Sequence, residues 1–213
     1  MPDFSCEDRA LADGFCLIAG VDEAGRGPWA GPVVAGAVVL SRIDVPGALL
    51  AGLDDSKKLT AKRRLSLFHG LSDWEGAAIG IGIASREEID DINILQATFL
   101  AMRRAVANLP NQPDFVLVDG NQMPGLSVPT KTVKKGDGIS LSIAAASIVA
   151  KVSRDEIMQD LALAHPGYGW ERNAGYGTAE HRAALDHMGV SPHHRRSFQP
   201  VRARLVDNDA DGG

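Results

Sequence analysis

Four acidic residues, Asp22, Glu23, Asp119 and Asp137, stand where carboxylates can do chemistry together. Asp22 and Glu23 directly follow the short apolar run CLIAGV (16–21), and Asp119 directly follows FVLV (115–118). Short, β-branched runs bounded by Gly and Pro predict buried strands. The acids therefore close two strands at the rim of a sheet, where α/β proteins hold ligands. Asp137 lies in KKGDG, just before a stretch rich in small residues. Carboxylates gathered together repel, and burial raises the cost of each charge, so the cluster needs a compensating cation. All-oxygen ligation suits Mg²⁺ or Mn²⁺, and nothing here has the Cys/His spacing of a zinc site. Each acid taken singly reads as a turn or cap residue; the four together predict a metal-dependent centre.

A glycine-rich segment, DEAGRGPWAGP, continues from the acidic pair. Gly25 and Gly27 let the backbone approach a substrate closely and present N–H groups, with Arg26 between them. The G-x-G-x-x-G spacing of a dinucleotide loop is absent, and Pro28 and Pro32 remove donors that such a loop would use.

The elements that must position these residues follow from pattern. Residues 16–21, 33–40, 77–84 and 115–118 predict strands, with a weaker fifth around Val133. Thr60 is placed to cap a basic helix over 61–70, and Ser85 with Glu88 forms a capping-box sequence. Ile89, Ile92, Leu95, Phe99, Met102 and Val106 follow at helical spacing, one apolar face that ends near Pro110. Residues 139–164 predict a long helix whose AAAS segment (144–147) lets it lie very close to a sheet. A last helix covers 179–188, bracketed by Thr178 and Gly189. Three strands in succession, then helix, strand and helix, predict an α/β fold with a mixed sheet flanked by helices. Its first strands pair as hairpins, and its later ones are parallel.

The 213 residues fit one domain, expected over 14–206, with flexible acidic tails at 1–13 and 207–213. The N-terminus lacks the basic flank and apolar stretch of a secretory signal, and no uncharged apolar run approaches the ~18 residues of a membrane span. Cys6 and Cys16 cannot build a disulfide scaffold, so a cytoplasmic protein with reduced thiols is expected. The net charge of −5 is unevenly spread: each tail carries −3 and the body is +1. Basic clusters at Lys57-Lys58, Lys62-Arg63-Arg64, Arg103-Arg104, Lys131 with Lys134-Lys135, and Arg195-Arg196 are compatible with phosphate-facing patches or with a solvated surface.

The chain resembles type 2 ribonuclease H, specifically the bacterial ribonuclease HII family. The likeness runs from about Ile18 to Val201 through GVDEAGRGPWAGPVVAGAVVL (20–40), DDSKKL (54–59), GIGIAS (80–85), FVLVDGN (115–121), KKGD (134–137), AAASIVAKVSRD (144–155), GYGTAEH (175–181) and HRRSFQPV (194–201). The related ribonuclease HIII has an extra N-terminal domain and a different tripeptide after its acidic pair. Here 21 residues precede Asp22, and the tripeptide is Gly25-Arg26-Gly27.

The resemblance implies a ribonuclease H-like fold with a C-terminal helical extension, about 165–206, that contacts substrate. It implies an endoribonuclease acting on the RNA strand of RNA/DNA hybrids and cutting 5′ to single ribonucleotides embedded in duplex DNA. Cleavage would proceed by two-metal-ion catalysis with Mg²⁺ or Mn²⁺ and leave 3′-hydroxyl and 5′-phosphate ends. Asp22, Glu23, Asp119 and Asp137 would bind metal, while the Gly25-Arg26-Gly27 backbone and Tyr176 would read the 2′-hydroxyl. Ser56, Lys57, Lys58, Arg195 and Arg196 are candidates for phosphate contacts; lone histidines such as His181 and His194 are more often structural. Partners would be RNA/DNA hybrid and ribonucleotide-containing duplex, with no membrane, and the protein is expected to be a monomer. Rival readings are a nuclease of the same broad fold with another specificity, resolvase- or transposase-like, and a non-catalytic nucleic-acid-binding module. The four acids argue against the module, because without metal they would repel phosphate.

Overall fold

The apolar runs form a five-stranded mixed sheet. The structure, a computed structural model, describes residues 1–54 and 56–210, with side chains to Leu205. In chain order the elements are α1 (Ser5–Ala12), β1 (Ile18–Ala24), β2 (Val33–Leu40), α2 (Gly47–Leu50), α3 (Ala61–Ser72), β3 (Ala77–Ala84), α4 (Arg86–Ala107), β4 (Phe115–Asp119) and β5 (Thr130–Val133). They continue with α5 (Leu141–Ala164), α6 (Trp170–Asn173), α7 (Ala179–Met188) and α8 (Gln199–Ala210). The sheet order is β3-β2-β1-β4-β5. β1 and β2 pair antiparallel across a short connection, as expected of a hairpin; β3 pairs antiparallel with β2 only after a long connection that carries α2 and α3, so that pair is not a hairpin. β4 joins parallel to β1 after the α4 crossover, and β5 joins parallel to β4 after a loop without a helix. This is the expected ribonuclease H-like α/β arrangement.

The strand period divides the core. Ala19 and Val21 of β1, with Val33, Ala35 and Ala37 of β2, face α4. Val38 packs instead with α5 and α3. On the α5 side β1 and β2 present glycines. A Cβ at Gly20 would stand 2.2 Å from the Ser142 carbonyl carbon, and one at Gly36 2.5 Å from the Ala146 carbonyl oxygen. The small-residue helix therefore lies with backbone against backbone on the sheet.

Capping follows the sequence. Thr60 accepts from Arg63 N–H at 3.3 Å, Thr178 from His181 N–H at 3.2 Å, and both bonds of the Ser85–Glu88 capping box are present.

Four features depart from expectation. β1 runs through Asp22 and Glu23 to Ala24, so the acidic pair sits inside the strand end. α4 is kinked at Asn93 (φ 69°, ψ 162°), whose Oδ1 accepts from Leu95 and Gln96 N–H and recaps the second half. Residues 1–13 are not a flexible tail. α1 packs Ala10 against Ile18, Leu117 and Ile143. Its buried Glu7 Oε1 accepts from Ser140 Oγ (2.6 Å), Ser142 Oγ (2.6 Å) and Ser142 N–H (3.0 Å) at the start of α5. Acidic composition hid an amphipathic helix whose one buried acid has hydroxyl and N–H partners. The predicted tail from Asp207 begins inside α8, and residues 211–213 lie outside the described residues.

Gly20→Ala is expected to lower stability by about 3 kcal/mol, because its methyl has no flexible neighbour to displace. An unchanged urea midpoint would show that α5 can move away.

Candidate active site

The β1–β4 register aligns the acids. Val21 pairs with Val118, so the next step along the parallel strands brings Asp22 beside Asp119. Alternation then sends Asp22 and Glu23 to opposite faces. Asp22 turns towards α5 and Ser147, whereas Glu23 helps line a recess with Phe99 and Met102 of α4. Both line one cleft of about 220 Å³ with Asp119, Gly25, Arg26, Gly27 and Tyr176. Asp137 lines an adjoining basin with Lys57, Lys58, Lys134 and Lys135, and Asp119 and Lys57 lie in both.

Asp22 is 3% exposed. Its Oδ1 accepts from Glu23 N–H at 2.7 Å, while its buried Oδ2 has no hydrogen-bond partner. Burial, then the charges of Glu23 and Asp119, push its pKa well above the usual carboxylate value. Burial also raises Glu23, against the opposing pull of Arg26, whose Nη1 lies 3.3 Å from Glu23 Oε1. Asp119 Oδ1 accepts from Gly136 N–H at 2.6 Å, which ties β4 to the Asp137 turn. Asp137 faces Lys57 Nζ at 3.4 Å.

The expected convergence of four acids is met in part. Three share the cleft, and Asp137 leans to Lys57. Among the described residues no three carboxylate, imidazole or thiol groups stand close enough to make a ready coordination shell. The chemistry of the site nonetheless suits a divalent cation. An orphaned buried oxygen on Asp22, and burial that raises both Asp22 and Glu23, are the features that such a charge relieves.

One expected phosphate contact, that of Arg195, is corrected. Ser56 lines the cleft although it is largely buried, and its hydroxyl bonds Ser147 Oγ at 2.8 Å beside Asp22. Arg195 is 0% exposed and directs its guanidinium at the carbonyls of Gly25, Arg26, Gly31 and Pro32. It lies beneath the glycine segment and cannot reach a phosphate. Lys57 is exposed at the rim, as a phosphate contact requires. Asp55 lies outside the described residues.

Sequence reasoning assigned no role to Ser147, Lys151 or Arg154, which bring α5 into the cleft wall. Their spacing of three and four within one helix was the available signal. Gly25 (φ +99°) leaves no room for a side chain, since a Cβ there would strike Arg154 Nε. Tyr176 is half-exposed, with its ring 3.4 Å from the position of a Gly27 Cβ.

Behind Tyr176 lies a neutral histidine pair. His194 Nδ1 accepts from Ser191 N–H at 2.9 Å, so its proton is on Nε2, which donates to His181 Nε2 at 2.9 Å. His181 Nε2 also accepts from Trp170 Nε1 at 3.1 Å, and its Nδ1–H donates to the Tyr176 carbonyl at 3.0 Å. Burial, then the neighbouring His181, pulls His194 down to about 3.

This sheet and carboxylate cleft define the class: a metal-dependent nuclease of the ribonuclease H-like fold. The chain matches the family described as Ribonuclease HII over residues 19–201 and belongs to it. It is 60% identical over 212 residues to ribonuclease HII of Rhodospirillum rubrum, spanning 100% of this chain and 95% of that relative. Its structure is similar to the ribonuclease H2 of Pyrococcus horikoshii OT3 (TM-score 0.75, 26% identity, 93% of this chain and 100% of that one). It also resembles Bst-RNase HIII in complex with Mn²⁺ (TM-score 0.72, 18% identity, 92% and 71%), a likeness of fold. The enzyme is thus a ribonuclease H, a metal-dependent endonuclease. No described helix is long and apolar enough to cross a membrane.

Two measurements test these electrostatics. An unfolded histidine binds a proton near 6.5, but folded His194 does so only near 3. Between those values the unfolded chain holds more protons, so His194 makes stability fall as pH drops, by on the order of a few kcal/mol. The urea midpoint should decline from pH 6.5 to 4, and His194→Asn should flatten the slope; equal slopes would refute the neutral pair. Asp22 has the opposite sign, because its raised pKa makes the ionised form costly at neutral pH. Asp22→Asn should therefore stabilise the metal-free protein and raise its melting temperature; a lower melting temperature would count against it.

Proposed function

We propose that the enzyme hydrolyses the RNA strand of RNA/DNA hybrids and cuts 5′ to single ribonucleotides embedded in duplex DNA. The products carry 3′-hydroxyl and 5′-phosphate ends. One observation carries this reading: Asp22, Glu23 and Asp119 line the same cleft as Gly25, Arg26, Gly27 and Tyr176. A hydrolytic centre and groups suited to sensing a ribose thus share one small space.

Asp22, Glu23, Asp119 and Asp137 would hold Mg²⁺ or Mn²⁺, two ions with substrate bound, and these would activate water and offset charge on the departing 3′-oxygen. The orphaned Asp22 Oδ2 supports that donor set. The lysines around Asp137 support a path for the scissile strand's phosphates, a basic track on a chain of net charge −5. Tyr176 offers a hydroxyl to hydrogen-bond and a ring to stack on a sugar. The Arg26 and Gly27 N–H groups would complete recognition of the 2′-hydroxyl, the group that separates RNA from DNA. Water, not the 2′-hydroxyl, is the nucleophile, which accounts for the proposed ends. In this reading residues 165–206 form a substrate-contacting extension of a single domain, and the enzyme acts as a monomer in the cytoplasm.

An end-labelled duplex with one ribonucleotide, incubated with Mg²⁺ or Mn²⁺, should be cut on the 5′ side of that residue. The matching all-DNA duplex should stay intact, and Asp22→Asn should abolish turnover. Cutting of all-DNA duplex would favour a resolvase-like specificity. Tyr176→Ala should lower cleavage at the single ribonucleotide roughly 10–100-fold while changing duplex affinity much less. Equal losses would make the ring structural.

A further inference from the structure

Arg195 is a fully buried cation with no ion pair among the described residues. Its guanidinium donates only to carbonyls: Nε to Gly31 (2.9 Å), Nη1 to Arg26 (3.1 Å), and Nη2 to Gly25 (2.6 Å) and Pro32 (3.0 Å). Its own N–H donates to Trp29 O at 2.7 Å, which fixes the stem. Burying a charge without a counter-ion is expensive, and an apolar side chain would fill the volume at lower cost. The bonds that offset this cost all hold the peptide planes that follow the acidic pair.

Those planes have a second side. In a trans peptide the N–H points opposite to the C=O of the same unit. Holding the Gly25 carbonyl against Arg195 turns the Arg26 N–H away from it, and holding the Arg26 carbonyl turns the Gly27 N–H the same way. Among the described residues neither N–H donates to a protein group. Both residues line the cleft with Asp22, Glu23 and Tyr176. Two successive N–H groups released on one side of a Gly-x-Gly turn make a cradle for an electronegative oxygen.

Arg154 closes the arrangement. Its Nε donates to Pro32 O (3.0 Å), an acceptor it shares with Arg195, while Nη2 holds Ala30 O (3.2 Å) and Nη1 holds Ala174 O (3.0 Å). Ala174 lies two residues before Tyr176, so the paired guanidiniums join the glycine turn to the tyrosine segment.

We propose that Arg195 is a positioning residue for ribonucleotide specificity, aiming the Arg26 and Gly27 N–H groups at the ribose 2′-hydroxyl by holding the carbonyls of Gly25 and Arg26. The proposal rests on the reading that this tripeptide senses the ribose. A planar five-donor fork can span four carbonyls, whereas the point charge of a lysine cannot.

The test compares wild type and Arg195→Lys on two duplexes of one sequence, with and without a single ribonucleotide. Affinities are read by anisotropy in the Asp22→Asn background. Arg195→Lys should lower kcat/KM at the ribonucleotide roughly 10–100-fold and erase the preference in affinity for the ribonucleotide duplex. Affinity for the all-DNA duplex should change less than about threefold. Retained preference, or equal loss on both duplexes, overturns the proposal. Should Arg195→Lys fail to fold, ¹⁵N-labelled Asp22→Asn protein decides: the Arg26 and Gly27 amide resonances should shift with the ribonucleotide duplex and not with all-DNA, and identical shifts overturn the proposal. Wild type that fails to cut beside a ribonucleotide refutes the substrate reading itself, a result distinct from an Arg195→Lys enzyme that discriminates normally.

Discussion

Where α5 crosses β1 and β2, backbone meets backbone, because Gly20 and Gly36 leave no side chain between helix and sheet. That contact sets both the height and the rotation of α5, and each residue of slippage along a helix moves a side chain about 1.5 Å and turns it about 100°. Ser147 stands behind Asp22, and Lys151 and Arg154 reach the cleft, because the register is held there. The same helix is pinned at its start by Glu7 of α1, which occupies the hydroxyls of Ser140 and Ser142. An N-terminal helix far from the chemistry thus helps hold the helix that supports it.

On this frame the site carries an electrostatic imbalance that the fold alone does not relieve. Asp22 is buried on the central strand with one oxygen unpartnered, and Glu23 and Asp119 raise its pKa further. Strand alternation moderates the conflict by turning Asp22 and Glu23 to opposite faces, and Arg26 partly neutralises Glu23. The remainder is a group of buried carboxylates whose charge a divalent cation would offset, beside a lysine-lined basin. Opposite charges are segregated over a short distance, so the global charge of −5 is a poor guide to the partner.

Behind the cleft the glycine turn and Tyr176 are held by polar structure placed in the core. Two arginines hold carbonyls on either side of the glycine turn, and two neutral histidines pass an ordered set of hydrogen bonds to the Tyr176 carbonyl. Apolar packing excludes water but does not choose the direction of a peptide plane; directional donors do. These bonds tie the segment that carries half-exposed Tyr176 to buried polar side chains.

Much of this was legible in the chain. Period-two and period-3.6 patterns placed four strands and the long helices, since burial on one or both faces writes itself into neighbouring residues. The caps at Thr60, Ser85 and Thr178 were local chemistry and behaved locally. The acids at 22, 23 and 119 announced themselves as charges ending apolar runs. α1 did not, because four acids in thirteen residues masked a buried face, and the partners of its buried Glu7 lie more than a hundred residues away. Ser56 and Arg195 were read as surface contacts because polarity predicts exposure on average, and both proved buried with long-range partners. The sequence by itself determined the elements, the acidic pair and the family. Tertiary structure alone decided which way Asp22 and Glu23 face, that Asp137 leans to Lys57, and that Arg195 supports the glycine turn from below. Those outcomes depend on which distant groups meet in a closed space, and spacing along a chain does not carry that information.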